Sequence, residues 1–325
     1  MPTHDDINAA LSRPLTRRQA LAAGGAAALA LSLGARAAEP DKPRSRVIDI
    51  RSERWRDATG KQDAVVVKQM LDDGLVKLTG AADAAAAWKQ VFGKFKVVGV
   101  KFNSVSRNFS RTNQLMVDLL TAGLLSAGLE RGNIIVVEAV GAHFEGGGQP
   151  QPGWAGEYDF GSGKTRLSNF IVNQVDAILN VPDLKDHERT GITGAIKNLS
   201  HARNTVMEDP QRFHANACDP YVADLYNLEP IRTKPALHVM NGLRAMYDRG
   251  PVPNPAQWPH NGLLLAFDPC AIDKVALDLV VAERRKRGLP ELDHRGTPPT
   301  FLDTAVKRGL GTNDPARIEV VKATV

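Results

Sequence analysis

The sequence predicts an α/β fold with a mainly parallel sheet flanked by helices in three layers. Short, almost continuous apolar runs at Val97–Phe102 and Ile134–Val137 are typical of buried parallel strands. Between them, Thr112–Leu125 carries leucines at helical spacing after a capping threonine. The order strand, helix, strand favours a right-handed crossover and therefore a parallel pair of strands. With 325 residues, 43% of them hydrophobic, the chain is long enough to bury a sizeable core.

The remaining elements follow from the same patterns. In the first third, Arg46–Ile50 reads as a strand, and Ala64–Val76 and Ala81–Phe92 read as helices. Asp268 precedes Pro269, a pair that predicts the N-cap and first turn of the longest helix. The other elements expected after residue 170 are strands at Val175–Leu179, Ala236–Met240, Leu263–Phe267 and Ile318–Val321, and helices at Asp219–Asn227 and Thr300–Lys307.

Residues 1–37 have the composition of an export signal rather than of a fold. Arg17 and Arg18 form a twin-arginine pair, Ala22–Leu33 is apolar but too short to anchor in a bilayer, and Ala35–Ala37 is a small-residue cleavage pattern. We therefore expect the twin-arginine export machinery as a partner, a periplasmic location, and no membrane anchor after cleavage. Residues 38–325 are expected to form a single α/β domain.

Charge and cysteine content narrow the functional classes. The formal net charge of +5 falls by two when the four arginines and two aspartates of residues 1–37 are removed, which is too mild for a nucleic-acid-binding protein. Cys218 and Cys270 are the two cysteines of the sequence, so a cluster or zinc site held by four cysteines of this chain is excluded. In an oxidising compartment the two could form a disulfide, but the sequence does not fix their separation.

The most informative stretch is Val175–Asn198, where an apolar strand ending at Asn180 is followed by a charged loop. Lys185 and His187 lie two positions apart, so in an extended segment their side chains point the same way. Together they are suited to binding an anion and transferring a proton near neutral pH. The alternative is a solvated charged loop without a function.

A turn rich in small residues follows this loop and is predicted to open a short helix. Thr193 and Gly194 would present free backbone N–H groups to an anion, with Lys197 and Asn198 one turn further along. An ordinary glycine-containing turn is the alternative.

Other polar residues are expected at the same edge of the sheet. Lys101, Asn103, Glu138 and Asn180 each lie at or just past the carboxyl end of a predicted strand, where open α/β sheets bind ligands. A lysine buried among apolar residues has a lowered pKa and can act as a base or nucleophile. A lysine that simply reaches solvent from a strand end is the alternative for Lys101.

Two further features remain open at this level. The long Gly-, Pro- and Gln-rich segment Gly141–Gly163 is interpreted as a loop that acts as a lid. A metal ion is conceivable but weakly indicated, because no pair of histidines has a tight ligand spacing. The side chains considered as ligands are His143, His187, His201, His214, Asp183 and Glu138.

Several motifs together resemble the family called domain of unknown function 362. Lys185-Asp186-His187 and Lys197-Asn198, following an Asn180-Val181-Pro182 strand end, are the specific part of this resemblance. The supporting motifs are Val100–Asn103, Asp176–Leu179, Thr193–Ile196, His214, Gly250-Pro251, and Asp268-Pro269 with Asp273. The resemblance spans roughly residues 97–280 and implies an α/β fold with the site at these motifs. The family usually has an acidic residue at the position of Asn241, and some relatives carry a ferredoxin-like cluster module that this chain lacks.

These observations give two functional hypotheses. The first is an enzyme that acts on a small anionic molecule, with Lys101, Glu138, Lys185 and His187 as catalytic groups. Its substrate-binding residues would be Asn103, Asn180, Thr193, Gly194, Lys197, Asn198 and, from the resemblance, His214. The second hypothesis is a non-catalytic periplasmic protein that binds a metal ion or cofactor through the same site.

Overall fold

A mixed, mostly parallel sheet forms the centre of the protein. The computed structural model describes residues 44–290, 292 and 299–325, so the predicted export signal lies outside the described residues. Residues Arg44–Val325 make up one compact unit. The strands are β1 Ser45–Arg51, β2 Val98–Lys101, β3 Ile134–Val137, β4 Trp154–Asp159, β5 Lys164–Ser168, β6 Ala177–Asn180, β7 Asp183–His187, β8 Gly191–Ile192, β9 Pro235–Met246, β10 Gln257–Trp258, β11 Gly262–Ala266 and β12 Ile318–Thr324.

The strand order across the sheet is β12-β1-β11-β9-β6-β2-β3. Four neighbouring strands, β3, β2, β6 and β9, are parallel, as the apolar runs predict. In their register Lys101 lies opposite both Val137 and Asn180, so three carboxyl ends come together at one edge. β11 is antiparallel to both β9 and β1, which makes the sheet mixed.

Helices cover both faces of the sheet, as predicted for a three-layer α/β fold. Because side chains alternate along a strand, Val47 contributes to the core on one face and Ile48 to the core on the other. The α-helices are α1 Ala64–Thr79, α2 Ala84–Phe92, α3 Asn113–Ser126, α4 Gly194–Ser200, α5 Tyr221–Tyr226, α6 Glu229–Arg232, α7 Pro269–Lys286 and α8 Phe301–Lys307. The first three helices pack on the Ile48 face and α4, α5, α7 and α8 on the Val47 face.

The long helix α7 begins where the sequence predicts. The Asp268 carboxylate accepts hydrogen bonds from the backbone N–H groups of Cys270 and Ala271. Its second oxygen accepts bonds from Ser45 and Thr312, which lie in distant parts of the chain. Asp268 is therefore a structural cap that also ties both ends of the domain to α7.

The segment expected to be a charged loop is a buried strand instead. β7 pairs in parallel with the far half of β9, and its last residues pair antiparallel with β8. All five residues of Asp183–His187 are buried. The expectation of a loop is wrong because pairing with β9 satisfies the backbone while the charged side chains have polar partners inside the protein.

The segment Gly141–Gly163 also differs from its prediction as a single long loop. Its second half enters a β-hairpin, because Trp154–Asp159 pairs antiparallel with Lys164–Ser168. Phe160, at the turn, is buried against Phe213 with ring centroids 5.1 Å apart. In the ranges that the structure describes, no helix combines the length and apolar character needed to cross a membrane.

Candidate functional site

A cavity of about 300 Å³ lies at the carboxyl ends of β2 and β3, between β7 and α4. It gathers all of the predicted site residues except Asn180 and Gly194. The predicted residues that line it are Lys101, Asn103, Glu138, Lys185, His187, Thr193, Lys197, Asn198 and His214. Ser104, Arg203 and Gln211, which were not predicted, complete the wall together with Pro251 and with His201, which the sequence suggested only as a possible metal ligand.

Lys101 is buried at the end of β2, with 1% of its surface exposed. Its ammonium donates hydrogen bonds to the Phe102 carbonyl at 2.7 Å, to Glu138 Oε2 at 3.1 Å and to Asn198 Oδ1 at 3.2 Å. Burial lowers the pKa of Lys101, and the neighbouring Glu138 carboxylate opposes that shift. Lys101 is thus an ion-paired group that is fixed in place.

Glu138 is the partner of Lys101 and follows β3 in a left-handed backbone conformation, with φ of 60°. Its Oε2 also accepts hydrogen bonds from the backbone N–H and the hydroxyl of Ser104. Burial alone would raise the pKa of Glu138, but Lys101 and the hydrogen bonds hold it below its usual value. Glu138 is therefore a carboxylate at neutral pH.

Lys185 extends from β7 into the cavity and is fully buried. Its ammonium donates to Ser106 Oγ at 2.9 Å, and to Asn103 Oδ1 and the Pro251 carbonyl at 3.2 Å each. Burial lowers the pKa of Lys185 to about 8, although the nearby Asp183 and Asp186 partly counter this effect. Lys185 is therefore mostly charged at neutral pH, with uncharged hydrogen-bond acceptors around it.

Lys197 lies on α4 and has one hydrogen bond within the described residues, at 3.2 Å from His214 Nε2. His214 Nδ1 is 2.8 Å from the Pro210 carbonyl oxygen. Because a carbonyl oxygen only accepts hydrogen bonds, Nδ1 must carry the ring proton and donate it. His214 Nε2 therefore carries the lone pair that accepts a hydrogen bond from the Lys197 ammonium. Burial lowers the pKa of Lys197 to about 8, and burial together with Lys197 lowers the pKa of His214 to about 4.

His187 completes the group of ionisable side chains in the cavity. Its Nδ1 accepts a hydrogen bond from the Arg189 backbone N–H at 3.0 Å, so the neutral ring carries its proton on Nε2. Burial, with the positive charges of Lys197 and Lys185, lowers its pKa well below the usual range. His187 is therefore a neutral hydrogen-bond donor. It shares the cavity with Lys185, as their spacing predicts.

Asn180 holds the site from behind and does not line it. Its amide nitrogen donates to the Ala195 carbonyl at 3.0 Å, and its oxygen accepts from Asn198 Nδ2 at 2.7 Å. Asn198 Oδ1 then accepts hydrogen bonds from both Lys101 and Asn103 Nδ2. Asn180 therefore orients Asn198, which lines the cavity, and does not line it itself.

The start of α4 is not the open anion site that the sequence suggests. The Asp273 carboxylate of α7 accepts hydrogen bonds from the backbone N–H groups of Ala195 and Ile196 at 2.5 and 3.1 Å. A Cβ on Gly194 would overlap the Asp273 carboxyl atoms, so glycine is needed for their approach. The Thr193 hydroxyl, in contrast, is buried at the cavity wall without a hydrogen-bond partner in the described residues.

His201, His214 and Cys218 form a cluster that sequence spacing did not reveal. One possible ligand atom from each lies within 4.8 Å of the others. A cation bound there would have to displace the Lys197 ammonium from His214 Nε2, and two more lysines share the cavity. The electrostatics of the cavity therefore favour an anion over a metal ion.

Three further expectations can now be compared with the structure. Cys218 and Cys270 are buried free thiols, so they form no disulfide. His143 and the segment Gly141–Gly163 do not line the cavity, and the exposed residues of its wall are Ser104, Val105, Arg203 and Gln211. Asn241 is a buried structural residue that donates to Thr112 Oγ1 at 2.8 Å.

Comparison with known proteins finds a family match in the part of the chain that contains most of the cavity residues. No curated protein matches the sequence significantly. The family match covers residues 157–278, which include Lys185, His187, Lys197 and His214 but not Lys101 and Glu138. These residues match the model of the family described as domain of unknown function (DUF362), which supports the resemblance drawn from the sequence motifs.

Proposed function

We propose that the protein is an enzyme that binds a small anionic substrate in this cavity and acts on it by lysine and histidine acid–base chemistry. The observation that carries the proposal is the convergence of Lys101, Lys185 and Lys197 on one cavity. Glu138 pairs with Lys101, whereas neither Lys185 nor Lys197 forms an ion pair within the described residues. A bound carboxylate or phosphate would supply the missing negative charge.

The energetic argument is that buried ammonium groups are costly without a counter-charge. Water solvates an ammonium far better than the cavity wall does, which is why burial lowers the pKa values of Lys185 and Lys197 to about 8. At pH 7 both groups remain mostly protonated. An anion that enters the cavity recovers much of this cost and raises both pKa values.

In this proposal the side chains around such an anion have distinct roles. Lys185, the Nε2–H of His187 and the Thr193 hydroxyl are hydrogen-bond donors to the anion. The pair of Lys197 and His214 Nε2 exchanges a proton with the substrate. The substrate would thus be fixed by the first group and exchange a proton with the second.

A thermal-shift experiment with phosphate, sulfate, acetate and lactate tests the anion site. We expect at least one of these anions to raise the melting temperature of the wild type, and Lys185→Met and Lys197→Met to lose most of that response. Lys89→Met is the matched control, because Lys89 is exposed on α2 and its removal changes the net charge equally. Equal responses in the wild type and both cavity variants would contradict the proposal.

The second hypothesis, a metal- or cofactor-binding protein without turnover, is separated from the first by direct measurement. Elemental analysis and an absorption spectrum of the purified full chain report a bound metal or chromophore. A stoichiometric metal that is lost in His214→Ala and Cys218→Ala would favour the binding protein over the anion-directed enzyme. A metal-free, colourless protein that responds to anions would favour the enzyme.

We also propose that the protein is exported by the twin-arginine route to the periplasm. The support is the order of Arg17-Arg18, an apolar segment and a small-residue cleavage pattern in residues 1–37. The double substitution Arg17→Lys and Arg18→Lys should retain the protein in the cytoplasm at its precursor mass, as judged by cell fractionation. Unchanged fractionation of this variant would refute the export proposal.

A further inference from the structure

We propose that Lys197 is a nucleophile that condenses with the carbonyl carbon of a 2-oxo acid to form an imine. This inference rests on the proposed function, since it uses the same cavity and the same class of anion. It goes further by assigning a covalent bond to one of the three lysines and a carbonyl group to the substrate.

The hydrogen-bond partners distinguish Lys197 from the other two lysines. Lys101 is bound to three oxygen atoms, one of them a carboxylate. Lys185 is also bound to three oxygen atoms, which hold its ammonium in place. Lys197 has a single partner in the described part of the chain, and that partner is a basic nitrogen, His214 Nε2. The amine that can be released for attack is therefore that of Lys197.

The orientation of His214 supports a role in proton transfer. Its Nδ1–H donates to the Pro210 carbonyl, which fixes the tautomer with the free lone pair on Nε2. The 3.2 Å separation from Lys197 Nζ is within reach for direct proton exchange. Lys197 is thus a nucleophile with an adjacent base, His214, which is itself oriented by the Pro210 backbone carbonyl. An activated nucleophile usually has these three parts.

Burial increases the reactive fraction of Lys197. With the pKa of Lys197 lowered to about 8, this side chain is a neutral amine in about half of the molecules at pH 8. An ordinary exposed lysine is less than about 1% neutral at the same pH. The fraction of neutral amine is therefore about two orders of magnitude higher for Lys197 than for a surface lysine, which makes Lys197 the better nucleophile.

The groups around Lys197 suit the carboxylate of a 2-oxo acid. The His187 ring stacks on His214 with centroids 6.2 Å apart, and Thr193, whose hydroxyl has no partner in the described residues, is the N-cap of the helix that carries Lys197. A carboxylate held by Lys185, His187 and Thr193 would keep the adjacent carbonyl carbon near Lys197. In this binding mode acetone, a ketone without the carboxylate, should react more slowly than a 2-oxo acid.

The reaction balances without an oxidant or reductant. The neutral amine of Lys197 forms a bond to the carbonyl carbon as the C=O π electrons move to oxygen. One proton passes from the nitrogen through His214 Nε2 to that oxygen, and the resulting hydroxyl leaves as water with the second proton of the amine. The sum is one amine and one carbonyl giving one imine and one water.

Borohydride trapping tests the inference directly. The purified full chain is incubated at pH 8 with pyruvate and sodium cyanoborohydride, and intact mass and peptide mapping locate any reduced adduct. We expect one pyruvate-derived adduct on Lys197 in the wild type and none at this site in Lys197→Met. Lys89→Met should keep the adduct, and His214→Ala should slow its formation by about 100-fold. Acetone, a ketone without the carboxylate, should label Lys197 more slowly than pyruvate.

Lactate separates failure of this inference from failure of the proposed function, because it has the carboxylate without the carbonyl. If lactate and pyruvate both raise the melting temperature and pyruvate gives no adduct on Lys197, the imine is refuted and the anion site stands. If adducts spread evenly over surface lysines, the imine is also refuted. If no anion binds and no adduct forms, both proposals fail. Peptide mapping of the wild type gives a result even if a variant does not fold.

Discussion

Replacing Lys197 with methionine should make the protein more stable while removing its response to anions. Lys197 is 5% exposed, has no ion pair in the described residues, and has a pKa lowered by burial from 10.5 to about 8. Methionine fills a similar volume without a charge. The cost of burying the ammonium therefore disappears with the substitution.

The magnitude follows from the pKa shift. A change from 10.5 to about 8, at about 1.4 kcal/mol per unit, corresponds to about 3 kcal/mol of destabilisation from the charged form. Leaving His214 Nε2 without its donor costs about 1 kcal/mol. We therefore expect the free energy of unfolding of Lys197→Met to exceed that of the wild type by about 2 kcal/mol at pH 7.

The pH dependence provides a second check with a defined sign. Below pH 8 Lys197 is protonated in both the folded and the unfolded wild type, so the full cost is present and the variant is favoured. Between pH 8 and 10.5 the unfolded chain binds the extra proton, so wild-type stability rises with pH. The advantage of the variant should therefore shrink over this range and be lost above pH 10.5.

Urea unfolding of both proteins at pH 7 and pH 10 measures these differences. Lys89→Met is the control and should stay within about 0.5 kcal/mol of the wild type, because Lys89 is exposed. A Lys197→Met variant that is less stable than the wild type at pH 7 would refute the reasoning that its ammonium is a buried, uncompensated charge.

Other predictions follow from the same site. Anion affinity should fall about 100-fold between pH 7 and pH 9, since Lys185 and Lys197 each lose about 90% of their protonated form, and titration calorimetry would show it. An affinity independent of pH would argue against either lysine as a ligand. Gly194→Ala should lower the free energy of unfolding by about 3 kcal/mol, because its Cβ would overlap the Asp273 carboxylate and its φ is +61°. A change below about 0.5 kcal/mol in urea unfolding would contradict that contact.

The sequence predicts the part of the site that depends on strand ends. Lys101 and Glu138 follow apolar runs whose parallel pairing could be inferred locally, and the register then places them side by side. The alternation of Lys185 and His187 likewise predicts a shared direction, and both side chains line the cavity. These predictions work because a parallel sheet brings the carboxyl ends of its strands to one edge.

The parts that sequence reasoning missed depend on contacts between distant residues. The charged run at Asp183–His187 looks like a loop, and only its pairing with β9 makes it a buried strand. The helix start at Gly194 looks like an open anion site, but Asp273, 78 residues beyond Ala195, occupies its N–H groups. Sequence reasoning considered His201 only as a possible metal ligand. Its position one turn beyond Lys197, at the end of the same helix, is the signal that could have placed it in the cavity.

The most direct test of the central claim is to locate an anion experimentally. Crystals of the protein are soaked with selenate, and an anomalous difference map at the selenium absorption edge reports where the anion binds. We predict a selenium peak in the cavity within hydrogen-bond distance of Lys185 and Lys197. Strong selenium peaks elsewhere on the molecule, with none in this cavity, would contradict the claim that Lys185 and Lys197 form an anion site.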